Sequence, residues 1–244
     1  MGIPCYLAMT AAEMLGNTPL PEKLAWMACQ FSPYGTGLSN LPSSLPPNRV
    51  LMLSDETPIC GHDPQPIFAE LQECIARFSC SCLVLDFQRP GNPEAAELVS
   101  ALMALPCPLI ISQPYAREGC GVLLPPAPLS VSLEDYLSPW KGREIWLELA
   151  MDGEILTLTE LGAKTIPLPY PNLSAEGFRE EILHCHYRTQ LSEDRAEFTL
   201  WRTEEDLADL IQEAEKLGVT AMIGLFQEFH TTDIGRGHDS AGQQ

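Results

Sequence analysis

Basic residues are scarce in this chain of 244 residues: 14 lysines and arginines stand against 33 aspartates and glutamates, for a formal charge of −19. A surface of that sign repels phosphate backbones and anionic lipid headgroups. We therefore expect no nucleic-acid partner and no docking to a membrane surface. The sequence does not indicate an oligomeric state.

Long apolar runs are also missing. No segment approaches the roughly 20 apolar residues that a membrane-spanning helix needs. The opening residues, MGIPCYLAMTAAEML, have no basic start and no long apolar stretch. The nine cysteines are an odd number and lie mostly inside apolar runs, which is typical of free thiols in a reducing compartment. We therefore expect a cytoplasmic protein.

Motifs for metal, nucleotide or thiol chemistry are weak or incomplete. The stretch GTGLSN (35–40) lacks the Gly-Lys-Ser/Thr of a phosphate-binding loop. His184 and His186 would share one face of a strand and could hold an ion with a third ligand such as His62, or they could simply lie on an exposed hairpin face. Cys60 is too close to His62 in sequence for a typical Cys-His pair. We expect no metal and no other cofactor.

Apolar residues make up 45% of the chain and charged residues 19%, so a sizeable core is expected. Eight short apolar runs alternate with stretches rich in proline and glycine. Most of the runs are continuous, which indicates strands buried on both faces of a parallel sheet. The predicted strands are 23–29, 49–54, 82–87, 108–112, 121–124, 143–150, 165–169 and 220–226.

Three helices are predicted, at 64–78, 93–105 and 203–218, and each leads into one of these strands. Strand–helix alternation over about 240 residues predicts an irregular (β/α)8 barrel of the TIM type. Some helices must be short or missing, because 8 residues separate strands 108–112 and 121–124. Residues 180–201 are predicted to form an inserted β-hairpin. We expect one barrel domain over 1–229 and a flexible tail over 230–244.

A barrel gathers the residues that follow its strands at one mouth, where ligands bind. In this chain those residues are mainly acids, amides and aromatics, which suit hydroxyl-rich ligands such as sugars. Polar residues end most strands, however, so the pattern is also that of an ordinary solvated rim. The residues at the predicted strand ends are Gln30, Asp55, Glu56, Asp86, Gln88, Gln113, Tyr115, Glu148, Asp152, Tyr170, Gln227 and Glu228.

One of these strand ends, LVLDFQRPGN (83–92), resembles the fourth-strand signature of glycoside hydrolase family 18, the chitinase-like barrels. That signature reads Asp-x-x-Asp-x-Asp-x-Glu and often continues Tyr-Pro-Gly. Its last aspartate falls on Asp86 and its Pro-Gly on Pro90 and Gly91. The segment AEKLGVTAMIGLFQEF (214–229) is similar to the last helix and strand of that family. The resemblance implies a barrel that binds a carbohydrate at the mouth.

The chain departs from the family at the catalytic position. The glutamate that protonates the glycosidic oxygen falls on Gln88, which has no proton to give. The two other aspartates fall on Ser81 and Val84, and the tryptophan of the final strand is replaced by Leu225 or Phe226. The resemblance therefore implies hydrolysis that is weakened or lost, unless carboxylates elsewhere replace the missing acid.

Two functions stay open at this point: a glycoside hydrolase with rearranged acids, and a non-catalytic barrel that binds a carbohydrate, a protein or a small molecule. Glu228 is the best replacement acid, with Asp55 and Glu148 behind it. The candidate catalytic residues are Asp86, Gln88 and Glu228. The candidate substrate-binding residues are Asp55, Glu148, Tyr115, Tyr170 and Gln227.

Overall fold

The computed structural model describes residues 2–34, 37–168 and 176–236. Its first eight strands are β1 (Cys5–Met9), β2 (Leu24–Phe31), β3 (Leu38–Ser39), β4 (Val50–Ser54), β5 (Cys82–Asp86), β6 (Leu109–Ser112), β7 (Gly121–Leu124) and β8 (Ile145–Leu149). A group of five follows: β9 (Gly153–Thr159), β10 (Gly162–Leu168), β11 (Phe178–Glu180), β12 (Cys185–Leu191) and β13 (Arg195–Trp201). The last strand is β14 (Val219–Leu225).

Eight of these strands form a closed parallel barrel. The order around it is β1, β2, β4, β5, β6, β7, β8 and β14, and β14 pairs with β1 to close the ring. Every pairing within the ring is parallel, and the short β3 lies antiparallel to β2. The predicted irregular (β/α)8 barrel is confirmed.

The helices are α1 (Ala11–Gly16), α2 (Pro64–Phe78), α3 (Pro93–Leu102), α4 (Leu133–Leu137), α5 (Glu204–Lys216), α6 (Phe226–Phe229) and α7 (Asp233–Arg236). The predicted helices correspond to α2, α3 and α5. Asp63, Asn92 and Thr203 cap their first turns with side-chain oxygens, and α2 and α3 start with proline, which needs no backbone donor there. Of the helices described, none is long and apolar enough to span a bilayer.

Side-chain alternation along the strands separates two apolar layers. Val50, Val84 and Ile110 belong to the cluster that fills the barrel interior. Leu51 and Leu83, their neighbours in sequence, belong to the cluster that packs the outer face of the barrel against helices. The two-residue period therefore directs every second residue of a strand into the barrel. The inner position that follows the last apolar inner residue of a strand lies at the mouth of the barrel.

Two strand predictions are wrong. The first barrel strand is β1, which the sequence analysis did not predict, because CYLAM is a run of only five residues. Residues 165–168 of the predicted barrel strand 165–169 belong instead to β10, in the second sheet, and residue 169 lies outside the described part. Pro167 cannot donate a ladder hydrogen bond, and β10 is accordingly an edge strand.

Strands β9 to β13 form a five-stranded antiparallel sheet inserted between β8 and α5, in the order β10, β9, β13, β12, β11. It contains the predicted hairpin, with β12 and β13 joined at Ser192–Asp194. This inserted sheet is fastened to α5 by ionic contacts. Asp206, which is fully buried, accepts from Arg179 Nε at 3.0 Å and lies 2.7 Å from His186 Nδ1.

His184 likewise lies with its Nε2 2.7 Å from a carboxylate oxygen of Glu213 on α5. Both histidines of the HCHY motif are therefore paired with acids of α5. Within the described chain no three histidine, cysteine or acidic side chains gather in a metal-binding arrangement. All nine cysteines are free, as predicted. Residues 237–244 lie outside the described part, so the tail over 230–244 and the domain limit at 229 stay predictions.

Candidate functional site

A cavity of about 660 Å³ opens at the carboxyl ends of the barrel strands. This volume lies within the range of about 300–1,000 Å³ that is usual for small-ligand pockets. Its polar wall residues are the acids Glu56, Asp86, Glu148, Asp152 and Glu228, the amides Gln30, Asn40 and Gln88, and the hydroxyls Thr10 and Ser54. Four of the predicted site residues therefore meet here: Asp86, Gln88, Glu148 and Glu228.

Strand β5 directs Asp86 into this cavity. Cys82 and Val84 are inner residues of the same strand, and Asp86 and Gln88 continue the two-residue period. Gln88 donates a hydrogen bond from Nε2 to Asp86 Oδ1. Burial raises the pKa of Asp86, and the negative Asp55 adds to the rise, while the hydrogen bonds from Gln88 and Ser112 oppose it.

Glu148 enters the cavity from β8, at the inner position that follows Trp146. Burial raises the pKa of Glu148 to about 8, and the negative charge of Asp86 contributes to the rise. At neutral pH the Glu148 carboxyl therefore carries a proton. Within the described residues no hydrogen bond holds that carboxyl, so the proton is free to be donated to a ligand.

Glu228 reaches the cavity from the short helix α6, directly after β14. Its Oε2 accepts a hydrogen bond from the backbone amide of Met151 at 3.1 Å. Burial raises the pKa of Glu228, and the neighbouring Asp152 contributes, while the Met151 hydrogen bond opposes the rise. Glu228 thus ties the loop after β8 to the end of β14.

Asp55 and Tyr115 are not among the described residues that line the cavity. Asp55 is 4% exposed and accepts hydrogen bonds from the backbone amides of Gln88 at 2.9 Å and Arg89 at 3.1 Å. The Tyr115 hydroxyl donates to the carbonyl of Arg89 and accepts from the amide of Asn92 at 3.0 Å. Both side chains therefore support the loop that carries Gln88.

Of the two remaining predicted residues, the structure describes only Gln227, and that residue does not line the cavity. Gln227 is exposed on α6, where it hydrogen-bonds Glu13. Tyr170 lies outside the described residues. The structure adds three polar residues that the sequence analysis missed to the wall: Thr10, Asn40 and Ser54. Thr10 lies directly after strand β1, which was not predicted. The capping-box pattern of Thr10 and Glu13 is the sequence signal that could have placed Thr10 at a strand end.

The described part of the wall is strongly acidic and has no aromatic side chain. It contains five carboxylates and no lysine, arginine or histidine. Carboxylates and amides bind hydroxyl groups well, but a flat ring for sugar stacking is missing. The chemistry available is hydrogen bonding to hydroxyls and proton exchange by the carboxyl groups of Glu148 and Asp86, whose pKa values are both raised.

No protein-family model matches this sequence, and no curated protein matches it. The chain is similar in fold to a class V chitinase from Nicotiana tobaccum, with 10% identity, 97% of each chain covered and a TM-score of 0.62. It is also similar to the chitinase-like agglutinin of Robinia pseudoacacia, with 11% identity, 91% of this chain and 94% of that one covered, and a TM-score of 0.60.

A family 18 chitinase double mutant from Cycas revoluta, in complex with (GlcNAc)4, gives 12% identity, a TM-score of 0.57 and coverage of 91% of this chain and 94% of that one. At such identities the likeness shows the fold alone. The predicted resemblance to the family 18 chitinase-like barrel is thereby confirmed for the fold.

Proposed function

We propose that this chain is a glycoside-hydrolase-like barrel that binds a carbohydrate in the cavity at the mouth of the barrel. The observation that carries the proposal is the meeting of Asp86, Gln88, Glu148 and Glu228 around one cavity of about 660 Å³. A carbohydrate offers hydroxyl groups that donate to carboxylates and accept from amides. The proposed ligand class is an oligosaccharide of N-acetylglucosamine, the ligand bound by the Cycas revoluta chitinase of similar fold.

Gln88 is the residue at which the proposed function differs from that of the family that the sequence resembles. Its amide cannot protonate a glycosidic oxygen. Its Nε2 instead donates to Asp86, a hydrogen bond that favours the ionised form of that carboxylate. Hydrolysis by the family's route is therefore absent, and the proposed activity is weak or depends on another acid.

The test is a calorimetric titration of the protein with (GlcNAc)4, followed in parallel by tryptophan fluorescence. Trp146 is the next inner residue below Glu148, so a ligand in the cavity changes its surroundings. Asp86→Ala is expected to weaken binding by about tenfold or more, the loss typical of a charged hydrogen-bond partner. The matched control is Asp194→Ala, which removes an acid from the β12–β13 turn.

Wild-type affinity in the Asp194 variant, together with the loss in the Asp86 variant, supports the proposal. Absence of any heat or fluorescence change at millimolar (GlcNAc)4 contradicts it. Equal affinity of the Asp86 variant and the wild type also contradicts it, because the ligand would then lie elsewhere.

The alternative is a barrel that binds without cleaving. The observation in its favour is Gln88 at the position of the family's acid, and a chitinase-like agglutinin is among the proteins of similar fold. Binding of (GlcNAc)4 without release of shorter products, followed by chromatography over a day at pH 5 to 9, would establish this alternative. A cytoplasmic location stays a prediction.

A further inference from the structure

The geometry points to Glu148 as the proton donor of a relocated glycosidase site, with Asp86 as the base that faces it. This inference rests on the proposed function, since it needs a glycoside in the cavity. It assigns the missing acid to the seventh strand of the barrel, β8, rather than to Gln88 on the fourth or to Glu228 beyond the eighth.

The first support is position. Glu148 and Asp86 occupy inner positions at the carboxyl ends of strands three places apart in the ring, and both line the same cavity. They are close enough for the charge of Asp86 to act on Glu148. No hydrogen bond joins the two carboxyl groups in the described structure, and the cavity of about 660 Å³ that both of them line is large enough for a small ligand.

The second support is the division of protonation states. Glu148 holds its proton through neutral pH, because burial and the charge of Asp86 raise its pKa to about 8. Burial raises the pKa of Asp86 as well, but hydrogen bonds from Gln88 Nε2 and Ser112 oppose that rise, whereas no hydrogen bond in the described structure opposes it at Glu148. Two carboxyl groups whose surroundings separate their protonation states are the arrangement that acid–base catalysis uses.

The third support is the state of the other acids. Glu228 accepts the amide of Met151, and both oxygens of Asp55 accept backbone amides. Those carboxylates have structural partners. Glu148 has none in the described chain, and a general acid must be free to reach the leaving oxygen.

The proposed step balances in atoms and charge. The bond between the anomeric carbon and the glycosidic oxygen breaks, and its electron pair goes to that oxygen as the oxygen takes the Glu148 proton. A water oxygen bonds to the anomeric carbon and gives a proton to Asp86. Solvent then returns one proton from Asp86 to Glu148, so the net reaction is glycoside plus water to two sugars.

Other ionisable groups line the cavity with Glu148, and of the acids among them Asp86 raises its pKa. Asp86 approaches from β5, Glu56 from beyond β4, Asp152 from the loop after β8 and Glu228 from α6. Tyr136 on α4 is also near, and burial together with the charge of Glu148 raises the pKa of its hydroxyl to about 12. Tyr136 therefore stays protonated over the range in which Glu148 titrates.

The test compares two glycosides: (GlcNAc)4, whose sugar leaving group needs protonation, and the 2,4-dinitrophenyl glycoside of N,N′-diacetylchitobiose, whose leaving group departs as an anion. Glu148→Gln is expected to lower kcat on the first by about 10²–10⁴-fold and on the second by less than tenfold. Its affinity for (GlcNAc)4 should stay within threefold of the wild type. The wild-type rate should fall above about pH 8. The matched control is Glu97→Gln, an exposed position on α3.

Equal losses on both glycosides would overturn the assignment, because a merely structural defect does not depend on the leaving group. A wild type that binds (GlcNAc)4 but cleaves neither glycoside would also overturn it, while leaving the proposed binding function intact. Failure of the wild type to bind (GlcNAc)4 in the same calorimetric titration would instead count against the proposed function.

Discussion

The carboxylate of Asp55 accepts a hydrogen bond from the backbone amide of Gln88 at 2.9 Å. The same carboxylate accepts the amide of Arg89 at 3.1 Å, so one buried side chain after β4 fixes the loop after β5. Asp55 thus affects the cavity without lining it. It fixes the backbone of Gln88, and the side chain of Gln88 donates a hydrogen bond to Asp86.

Asp55→Asn should destabilise the protein, because an amide group cannot keep two oxygen acceptors for the two backbone donors. The expected loss is about 1–3 kcal/mol in the free energy of unfolding, the usual cost of a buried donor without a partner. Urea denaturation at pH 7 measures it. Glu56→Gln, one residue on and exposed, is the control and should stay within about 0.5 kcal/mol of wild type. Equal stability of the two variants would contradict the role given to Asp55.

Tyr115→Phe should lower the melting temperature. The phenol bridges the carbonyl of Arg89 and the amide of Asn92, and each lost hydrogen bond costs about 1 kcal/mol. For a chain of this size a loss of about 2 kcal/mol corresponds to roughly 4–8 °C. Calorimetry with Tyr34→Phe as control checks this, since Tyr34 is 97% exposed. Equal melting temperatures of the Tyr115 and Tyr34 variants would show that the two hydrogen bonds of Tyr115 do not stabilise the protein.

These two residues also show what the sequence can predict. Continuous apolar runs and helices that begin at a capping side chain are local patterns, so the barrel and three of its helices follow from them. The different positions of Asp55 and Glu56 do not follow from local patterns. Strand geometry directs the Asp55 side chain into the protein and the Glu56 side chain toward the cavity. The bond from Asp55 to Gln88 joins residues 33 positions apart, which no local pattern encodes.

The acid Glu148 could be predicted as a strand-end residue but not as a protonated one. Its pKa depends on burial and on Asp86, and both arise only when the ring of strands closes. The missed strand β1 likewise depends on closure, because its short run CYLAM gains a partner on each side in the barrel.

The stability of the wild type should fall between pH 5 and 8 partly because of Glu148. The ordinary pKa of a glutamate side chain is 4.5, whereas that of Glu148 in the folded protein is about 8. Over this interval the folded state therefore binds more protons than the unfolded state, and the free energy of unfolding decreases as pH rises. Glu148→Gln should remove this part of the decrease, at most about 4 kcal/mol. Guanidinium denaturation at pH 5 and 8 measures it.

In that experiment Glu97→Gln should follow the wild type, because Glu97 is exposed on α3. Parallel pH dependence of the wild type and the Glu148 variant would mean that Glu148 ionises normally in the folded protein.

Asp206→Asn should loosen the inserted sheet from the barrel. Asp206 accepts from Thr203 N and Oγ1 at 2.9 and 2.8 Å and from Arg179 Nε at 3.0 Å. Burial opposes its ionisation, but the hydrogen bonds from Thr203, His186 and Arg179 outweigh burial and lower its pKa. The contribution of Asp206 to the free energy of unfolding is therefore fully present above the ordinary aspartate pKa. It is lost as the pH falls from there through the lowered pKa of the folded state. At pH 7 the variant should lose about 2–4 kcal/mol, measured by urea denaturation.

The comparison for that variant is Asp209→Asn, because Asp209 also accepts from Arg179 but is more exposed than Asp206 and caps no helix. Its expected loss is under about 1 kcal/mol. Hydrogen exchange then locates the effect: the Asp206 variant should lose amide protection in β12 and in the first turn of α5, whereas β4 and β5 keep theirs. Equal losses of protection in the barrel strands would contradict this local role, because they would show that Asp206 stabilises the whole fold.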